Sequence, residues 1–402
     1  MIAAAPGAIP FIIAVMVAAT ALSFVLSPFA IRFARQLGAI DRPDSTRRVH
    51  RLPVPRGGGL AVVASFVGVG VGALVINEMV RAVPQVRVIP PAQLAALFGG
   101  AALAAALGFL DDRYQLRARW QLLIQLVLAG VAVRAGISIG FIDNPFQFLG
   151  GPFDFRLIEF GAELAIVVTV LWIVGMINSI NFIDGLDGLS TGISLIAAVT
   201  LGIVALTLQL TDVAVLCAVL AGALAGFLPW NFHRARVFIG TTGVYAVGYS
   251  LAVLSIMGVG KVAVAMLVLG VPIIDTFWII IRRLSSRRSP FTPDRGHFHH
   301  RLLDLGLTHR GAVLVIYGIC GLLALLSLVL SGTGSLYAFM GVVVGGGLVL
   351  YLMTRRAREA LDARTYEAQE PTEALTVEAA EAEREREALA TGTDSRAHRP
   401  EA

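Results

Sequence analysis

The sequence predicts an all-α protein that crosses a membrane about eleven times. Three observations lead to this prediction: the composition, a series of long apolar segments, and an uneven distribution of arginine. Of the 402 residues, 56% are hydrophobic and only 15% are charged, whereas about 25% of the residues in soluble proteins are charged. Such a composition is typical of a protein whose solvent is the lipid bilayer.

A membrane-spanning helix needs about 20 mostly apolar residues, and about eleven segments meet this requirement. They lie near 9–31, 58–80, 92–110, 121–141, 160–178, 188–209, 212–230, 236–257, 261–281, 312–331 and 335–353. No charged residue precedes the first segment, so we interpret it as a retained helix and not as a cleaved signal peptide.

Arginine is concentrated in alternate loops. These loops contain Arg32, Arg35, Arg42, Arg47, Arg48, Arg51, Arg56, Arg113, Arg117, Arg119, Arg234, Arg236, Arg282, Arg283, Arg287, Arg288, Arg295, Arg301 and Arg310. The other loops and the spans contain Arg81, Arg87, Arg134, Arg156 and Lys261. Basic residues collect in cytoplasmic loops, so the first set is predicted to be cytoplasmic, with the N-terminus outside and the C-terminus inside. The same bias explains the net charge of +5 without nucleic acid as a partner.

The segment 354–402 differs from the rest because it is rich in Ala, Glu and Arg. It is predicted to be a charged cytoplasmic tail, helical or disordered, after a transmembrane domain at 1–353. The two cysteines, Cys217 and Cys320, lie far apart in apolar segments. They are predicted to be buried as small hydrophobic residues and not to form a disulfide.

Two polar clusters fall in the first predicted cytoplasmic loops. The basic segment 41–59 ends in three glycines, which would allow backbone N–H groups to approach a phosphate; an ordinary arginine-rich loop is an equal alternative. Asp111 and Asp112 end the third span. Adjacent carboxylates repel one another, and a divalent cation, an arginine or a proton would offset the repulsion. The alternative is a solvated helix end that pairs with Arg113 and Arg117.

Asn178, Asn181 and Asp184 give the strongest local signal. On a helix this spacing of three residues places them on one face, and Asp187 continues the row if the helix continues past Gly185. Oxygen ligands of this kind suit Mg²⁺. A simple connecting turn is a weaker alternative, because a turn needs only one Asp-Gly pair.

Two later clusters and one isolated carboxylate complete the set. The segment 231–243 can be a basic loop followed by a helix start. The segment 293–301 contains a His-x-His-His run; we favour donors to pyrophosphate oxygens or a nucleotide over a zinc site, which lacks further ligands, or unused histidines. Asp275 lies within the ninth span, where a carboxylate is expected to be functional or paired with an arginine.

Taken in order, five segments resemble the polyprenyl-phosphate N-acetylhexosamine-1-phosphate transferases of glycosyltransferase family 4, which include the phospho-N-acetylmuramoyl-pentapeptide transferase. They read DRPDSTRRVHRLPVPRGGG, GFLDDRYQL, NFIDGLDGLSTG, FLPWNFHRARVFIG and TPDRGHFHHRLLDLGL. The resemblance covers about residues 30–350. The form of the last segment is more similar to the GlcNAc-1-phosphate branch of the family.

The resemblance implies an enzyme in the plasma membrane with its active site on the cytoplasmic face. It would transfer N-acetylhexosamine-1-phosphate, expected to be GlcNAc-1-phosphate, from a UDP-sugar to undecaprenyl phosphate and release UMP. This step would prime a cell-envelope polysaccharide. Mg²⁺ is the implied cofactor, with Mn²⁺ as a substitute, and a homodimer is a further expectation.

The resemblance also implies roles for particular residues. Asp111 and Asp112 would act on the lipid phosphate, with Asp184 as a further catalytic carboxylate. Asn181, Asp184 and Thr241 would bind the metal, and Asp187 would contact the uracil. The other implied substrate contacts are His50, Arg56, Asn178, Arg295, His297, His299 and His300.

Thr241 departs from the family pattern, in which an aspartate at this position is a principal Mg²⁺ ligand. A threonine hydroxyl can bind Mg²⁺ but brings no charge, so weaker metal binding is expected. Asp184 or Asp112 could compensate, activity could be reduced, or the protein could be a non-catalytic homologue that binds lipid phosphate or nucleotide sugar. We favour an active enzyme, because the other acidic motif residues are present.

Two further classes of function fit the sequence less well. A lipid-phosphate transporter would keep its ionisable groups near the membrane midplane at broken helices, whereas here they lie at one face, with Asp275 as a partial exception. A metal-ion channel or sensor that uses the histidine run would need a polar stripe along a pore, and the sequence shows none.

Overall fold

The computed structural model of the protein describes residues 8–41, 53–80, 89–258, 262–285, 297–330 and 333–392. Within these ranges the helices are α1 (Ala8–Gln36), α2 (Gly59–Val80), α3 (Pro91–Tyr114), α4 (Ala118–Arg134), α5 (Ala162–Ile183), α6 (Leu189–Thr207), α7 (Thr211–Asn231), α8 (Gly240–Met257), α9 (Val262–Val268), α10 (Gly270–Ser285), α11 (Phe298–Asp304), α12 (His309–Val329) and α13 (Thr333–Gly392).

Nine of the described helices are long and apolar enough to cross a membrane: α1, α2, α3, α5, α6, α7, α8, α12 and the part of α13 at Thr333–Leu352. The pair α9 and α10 would make a tenth span if counted as one. The predicted fourth span, 121–141, overlaps α4, which has only 17 residues. An extended segment follows α4 and runs beside α5, where the Ile139 N–H donates to Thr169 Oγ1 at 2.9 Å. The predicted class, an all-α polytopic membrane protein, is confirmed.

The ninth predicted span, 261–281, is not one straight helix. The chain breaks between α9 and α10, and the two helices make an angle of 79°. Pro272 explains the break, because it has no N–H for the carbonyl of Val268 and its ring clashes with that carbonyl. Asp275 follows the break on the buried side of α10.

The core of the bundle is built around α8, which is buried along nearly its whole length. Helix α3 packs closely against it. A Cβ on Gly108 of α3 would lie 2.5 Å from the carbonyl oxygen of Thr241, so only glycine allows this approach. Asp111 and Asp112 follow Gly108 by three and four residues, about one helical turn, and the packing therefore places this end of α3 against the start of α8.

Two short hairpins, which the sequence did not predict, join the helices. Strands β1 (Ile40–Asp41) and β2 (Val54–Pro55) are antiparallel, as are β3 (Phe141–Asp143) and β4 (Leu157–Glu159). A parallel bridge between Arg56 and Phe238 links the end of β2 to the segment before α8. The first hairpin thus brings Arg56, in the described end of the predicted basic segment, to the start of α8.

Two compact units, 1–347 and 348–402, divide the chain. In the second unit α13 continues to Gly392, and the side chains at 380–387 are exposed. The predicted domain boundary at 353/354 and the predicted orientation of the termini stay predictions. Cys217 and Cys320 are free and buried, as predicted.

Candidate active site

The predicted polar clusters come together at one end of the bundle. Helices α3 and α5 end there, α6, α8 and α12 begin there, and α11 lies beside them, as the contacts between their residues show. His50 and Arg295, two of the predicted substrate contacts, lie outside the described residues.

Asp112 is bound to the first turn of α8. Its Oδ1 accepts from the Thr241 N–H at 2.9 Å, and its Oδ2 accepts from the Thr242 N–H at 2.9 Å and the Thr242 hydroxyl at 2.6 Å. Gly240 has a φ of +69°, and a Cβ there would lie 2.5 Å from Asp112 Oδ2. Both carboxylate oxygens therefore satisfy orphan donors at the N-terminus of α8, which makes Asp112 a structural anchor for Thr241.

Asp111 is held differently and keeps one oxygen available. Its Oδ1 accepts from the Leu116 N–H and from Gln121 Nε2, both at 2.9 Å. Its Oδ2 has no hydrogen-bond partner among the residues that the structure describes. Gln121 was not predicted to belong to the site, since a lone glutamine at the start of α4 gives no signal in the sequence.

Asp184 lies just beyond the end of α5, with ψ at 48°. The helix therefore ends before Gly185, so the condition under which Asp187 would continue the row of polar side chains is not met. Burial raises the pKa of Asp184 to about 7; a hydrogen bond from Ser190 and the charge of Arg56 oppose this rise, while Asp112 and Asp187 add to it. The Ser190 hydroxyl donates to Asp184 Oδ1 at 2.5 Å.

The two asparagines before Asp184 have different surroundings. Asn178 Nδ2 donates to Gln125 Oε1 at 2.7 Å and to the Val174 carbonyl at 2.8 Å, so this amide links α5 to α4. The side chain of Asn181 is half-buried and has no hydrogen-bond partner within the described ranges. Of the two amides, Asn181 is the one that the protein leaves available to a ligand.

Asp187 is surrounded by two histidines. Its Oδ2 accepts from the Ala235 N–H at 3.1 Å and lies 3.1 Å from His233 Nδ1. Its backbone N–H donates to His309 Nε2 at 2.9 Å. The rings of His233 and His309 stack with their centroids 4.4 Å apart. By distance alone, the three side chains could hold a metal ion.

The histidine run is fixed by Asp275. Asp275 Oδ2 lies 2.8 Å from His297 Nδ1, and Asp275 Oδ1 accepts from the Phe298 N–H at 2.8 Å. Asp275, the carboxylate in the predicted ninth span, thus contacts a histidine, whereas the sequence suggested an arginine as its structural partner. This contact places His297 and α11 beside α10.

His299 lies against the turn that follows α5. Its side chain is 1% exposed, and neither ring nitrogen has a partner among the described residues. A Cβ on Gly185 would overlap His299 Nε2. Burial lowers the pKa of His299 well below its ordinary value, and the neighbouring histidines lower it further. The imidazole is therefore neutral at pH 7 and can donate or accept a hydrogen bond, but it brings no positive charge to a phosphate.

The glycines of the basic segment have a packing role. The N–H groups of Gly58 and Gly59 donate to the carbonyls of Phe238 and Ile239, both at 3.0 Å, and a Cβ on Gly59 would overlap the backbone of Gly243. The prediction that these glycines offer N–H groups to a phosphate is wrong for Gly58 and Gly59, because both donors are used within the protein.

Arg56 connects the basic segment to the carboxylates. Its Nη2 lies 3.0 Å from Asp41 Oδ1, and its charge acts on both Asp112 and Asp184. The guanidinium is 27% exposed, so it retains donors for an anionic ligand.

Comparison with known proteins gives one family. Residues 94–259 match the model described as glycosyl transferase family 4. One relative is a Bacillus subtilis (strain 168) protein named "Probable undecaprenyl-phosphate N-acetylglucosaminyl 1-phosphate transferase". The two sequences are 37% identical over 299 residues, which cover 73% of this chain and 77% of the relative. A second relative is a decaprenyl-phosphate N-acetylglucosaminephosphotransferase of Mycobacterium tuberculosis (strain ATCC 25618 / H37Rv). It is 33% identical to this chain over 358 residues, which cover 82% of this chain and 86% of the relative. An undecaprenyl-phosphate alpha-N-acetylglucosaminyl 1-phosphate transferase of Thermotoga maritima is 32% identical over 283 residues, with 69% of this chain and 78% of that protein covered.

Proposed function

Because the chain belongs to glycosyl transferase family 4, the polyprenyl-phosphate N-acetylhexosamine-1-phosphate transferases, we propose that it transfers GlcNAc-1-phosphate from a UDP-sugar to undecaprenyl phosphate. The relatives named for undecaprenyl- or decaprenyl-phosphate transfer support the acceptor and the sugar. The reaction takes place at the cytoplasmic face of the plasma membrane and primes a cell-envelope polysaccharide.

The observation that carries this proposal is the meeting of Asp111, Asp184, Asp187 and Asn181 at one end of a membrane bundle. A water-soluble sugar nucleotide and a lipid phosphate can meet only at the membrane boundary. Phosphoryl transfer depends mainly on positioning and on neutralising charge, and a cluster of fixed polar groups serves both needs.

The reaction joins an oxygen of the lipid phosphate to the β-phosphorus of the UDP-sugar and breaks the bond from that phosphorus to the bridging oxygen. UMP leaves with the bridging oxygen, and the product is a lipid diphospho-sugar. Asp111 Oδ2, which has no hydrogen-bond partner among the described residues, accepts the proton of a monoprotonated lipid phosphate or orients this group. Asp112 acts indirectly, by holding the start of α8.

Asn181, Asp184 and the Thr241 hydroxyl fit Mg²⁺, which prefers oxygen ligands and completes its shell with water and substrate phosphates; Mn²⁺ suits the same donors. The charge balance favours a cation, because the half-buried Asp184 lies within electrostatic range of Asp112 and Asp187. A bound Mg²⁺ would neutralise negative charge on the pyrophosphate. Asp184 supplies the charge that Thr241 does not.

The remaining side chains bind the donor. Asp187 contacts the uracil, while Arg56 and His297 interact with phosphate oxygens. His299, which is neutral and buried, donates a single hydrogen bond from the side of Gly185. These assignments follow the family motifs.

In the direct test, the purified protein is mixed with undecaprenyl phosphate, Mg²⁺ and UDP-GlcNAc that carries ³²P in its β-phosphate. The measurement is the amount of ³²P that moves from the nucleotide to the lipid. We expect the label to move into the lipid fraction, and we expect Asp111→Asn to abolish this transfer. A protein that binds both substrates but moves no label would contradict the proposed activity. Label transfer from another UDP-sugar only would correct the identity of the sugar.

A further inference from the structure

One face of α12 holds the turn at Asp187 and Gly188 at two points. His309 Nε2 accepts the N–H of Asp187 at 2.9 Å, and the Tyr317 hydroxyl donates to the carbonyl of Gly188. The two α12 residues are eight positions apart, close to two helical turns, and therefore lie on the same face. Gly188 has a φ of +81°, so the turn that they hold requires glycine.

The side chain of Asp187 is fixed from the opposite direction. Its Oδ2 is held by the Ala235 N–H and by His233 Nδ1. Its Oδ1 has no hydrogen-bond partner in the part of the chain that the structure describes. Because the backbone and one carboxylate oxygen are both held, the direction of the remaining oxygen is fixed.

We propose that His309 and Tyr317 are positioning residues, which hold the Asp187 turn so that the free carboxylate oxygen meets the nucleobase of the donor. This inference rests on the proposed function, in which Asp187 contacts the uracil. Neither residue touches the substrate; each acts through the backbone of the turn.

The atoms involved also determine the protonation of His309. Nε2 accepts a hydrogen bond from a backbone N–H, which requires an unprotonated Nε2, so the proton of the neutral ring is on Nδ1. The ring is fixed by its stacking on His233 and by its place in the first turn of α12, where Thr308 Oγ1 accepts the Gly311 N–H at 3.1 Å. A glutamine could supply the same acceptor through its side-chain oxygen, but it could not stack.

A metal site built from Asp187, His233 and His309 is the competing explanation. The carboxylate oxygen and both imidazole nitrogens already take part in the hydrogen bonds above. Arg234 and Arg310 line the cavity beside the two histidines, and their positive charge disfavours a cation. The arrangement therefore favours positioning over metal binding.

The uracil lies away from the reacting phosphorus, so its contacts contribute equally to the ground state and the transition state. Removal of such contacts raises KM and leaves kcat nearly unchanged. We expect His309→Ala to raise the KM for UDP-GlcNAc and the inhibition constant of UMP about tenfold. Tyr317→Phe, which removes only the hydroxyl, should have a smaller effect of the same kind.

The test compares His309→Ala, His309→Gln and Tyr317→Phe with Tyr337→Phe as a matched control. Tyr337 also donates from its hydroxyl to a carbonyl, that of Pro145 at 3.1 Å, but it does so away from the site. We expect His309→Gln to recover much of the lost affinity, and the KM for undecaprenyl phosphate and kcat to change less than about twofold in all variants. An unchanged KM for UDP-GlcNAc in His309→Ala, or an equal loss in Tyr337→Phe, would overturn the inference.

The same variants separate this inference from the proposed function. If the natural protein transfers no label, the proposed activity fails, and UMP binding is then measured by calorimetry. Weaker UMP binding by His309→Ala than by the natural protein still supports positioning; equal binding, or no UMP binding by either, overturns it. Binding of one Zn²⁺ that is lost in His309→Ala would instead establish the metal site.

Discussion

The backbone N–H of Thr241 donates to Asp112 Oδ1 at 2.9 Å, so the residue expected to stand in place of an aspartate is itself bound to a carboxylate of the site. Asp112 also accepts hydrogen bonds from the N–H and the hydroxyl of Thr242. The start of α8 thus has one anchoring carboxylate, contributed by α3, and position 241 offers a neutral hydroxyl. In the proposed metal site, the negative charge would therefore have to come from Asp184.

Asp112→Asn is expected to destabilise the protein. The substitution removes the negative charge at the N-terminus of α8 and replaces one acceptor oxygen with a donor facing the Thr242 N–H or the Thr241 N–H. We expect a loss of ~1–3 kcal/mol in the free energy of unfolding, measured as a lower Tm in detergent.

Asp111→Asn is the matched comparison for Asp112→Asn. Its side-chain oxygen can still accept from Leu116 and Gln121, so Tm should stay near that of the natural protein. Turnover should fall at least about 100-fold, because an amide cannot take a proton from the lipid phosphate. Equal losses of Tm in the two variants would contradict the different roles assigned to these neighbours.

The affinity for a divalent cation should depend on pH through Asp184. Its pKa is raised to about 7, and a cation binds the ionised carboxylate. Below pH 7 we therefore expect Mn²⁺ affinity, followed by electron paramagnetic resonance, to fall about tenfold per pH unit. A constant affinity between about pH 5.5 and pH 7 would show that Asp184 is not the titrating ligand.

The same pKa shift predicts a stabilising substitution. A carboxyl whose folded-state pKa exceeds its ordinary value of 3.8 contributes stability that is lost as the pH rises through the folded pKa near 7. At pH 8 the natural protein must therefore hold an ionised carboxylate in a desolvated place, which lowers its stability. Asp184→Asn has no such charge, so at pH 8 and without metal it should have a higher Tm than the natural protein. Its Mn²⁺ affinity should be lower. A lower Tm at pH 8 would mean that the hydrogen bond with Ser190 outweighs the cost of burial.

Gly59→Ala should destabilise the bundle through packing alone. The new Cβ would overlap the backbone of Gly243 and separate α2 from α8, and overpacking of this kind costs ~1–3 kcal/mol. Gly68→Ala in the same helix is the control, because nothing lies within 4 Å of its Cβ position. If Gly59→Ala folded normally and lost only its affinity for phosphate, the result would support phosphate binding by the backbone N–H groups of this segment and contradict the packing role.

Gly185→Ala should impair turnover by displacing His299. Its Cβ would overlap His299 Nε2, so either the imidazole or the turn carrying Asp184 must move. We expect a fall in turnover of about 100-fold, in line with a small misplacement of positioned groups. Gly175→Ala, in open space on α5, should leave turnover unchanged. Normal turnover in Gly185→Ala would exclude His299 from the reaction.

The sequence predicted the helices well, because long apolar segments in a membrane protein can satisfy their backbone hydrogen bonds only as helices. The bend between α9 and α10 was not predicted, although a proline such as Pro272 inside a helix indicates a kink or a break. The two hairpins were missed as well, since strands of two or three residues have no periodicity to read.

The site was predicted as a set of segments but not as a set of contacts. Asp112 reaches the start of α8, and His309 reaches Asp187, across more than a hundred residues. Such partners are chosen by tertiary packing, which no local pattern reveals. Ser190 and Gln121 were missed for the same reason, because a serine or a glutamine is unremarkable until its neighbour is known.

The most direct test of the account is UMP release from UDP-GlcNAc by the purified protein with undecaprenyl phosphate and Mg²⁺, beside Thr241→Asp. We predict release by the natural protein, and release at lower Mg²⁺ concentrations by Thr241→Asp, which adds a charged ligand. Release only after Thr241→Asp would contradict the claim that Asp184 compensates for the missing aspartate. Release by neither protein would contradict the proposed transfer from UDP-GlcNAc.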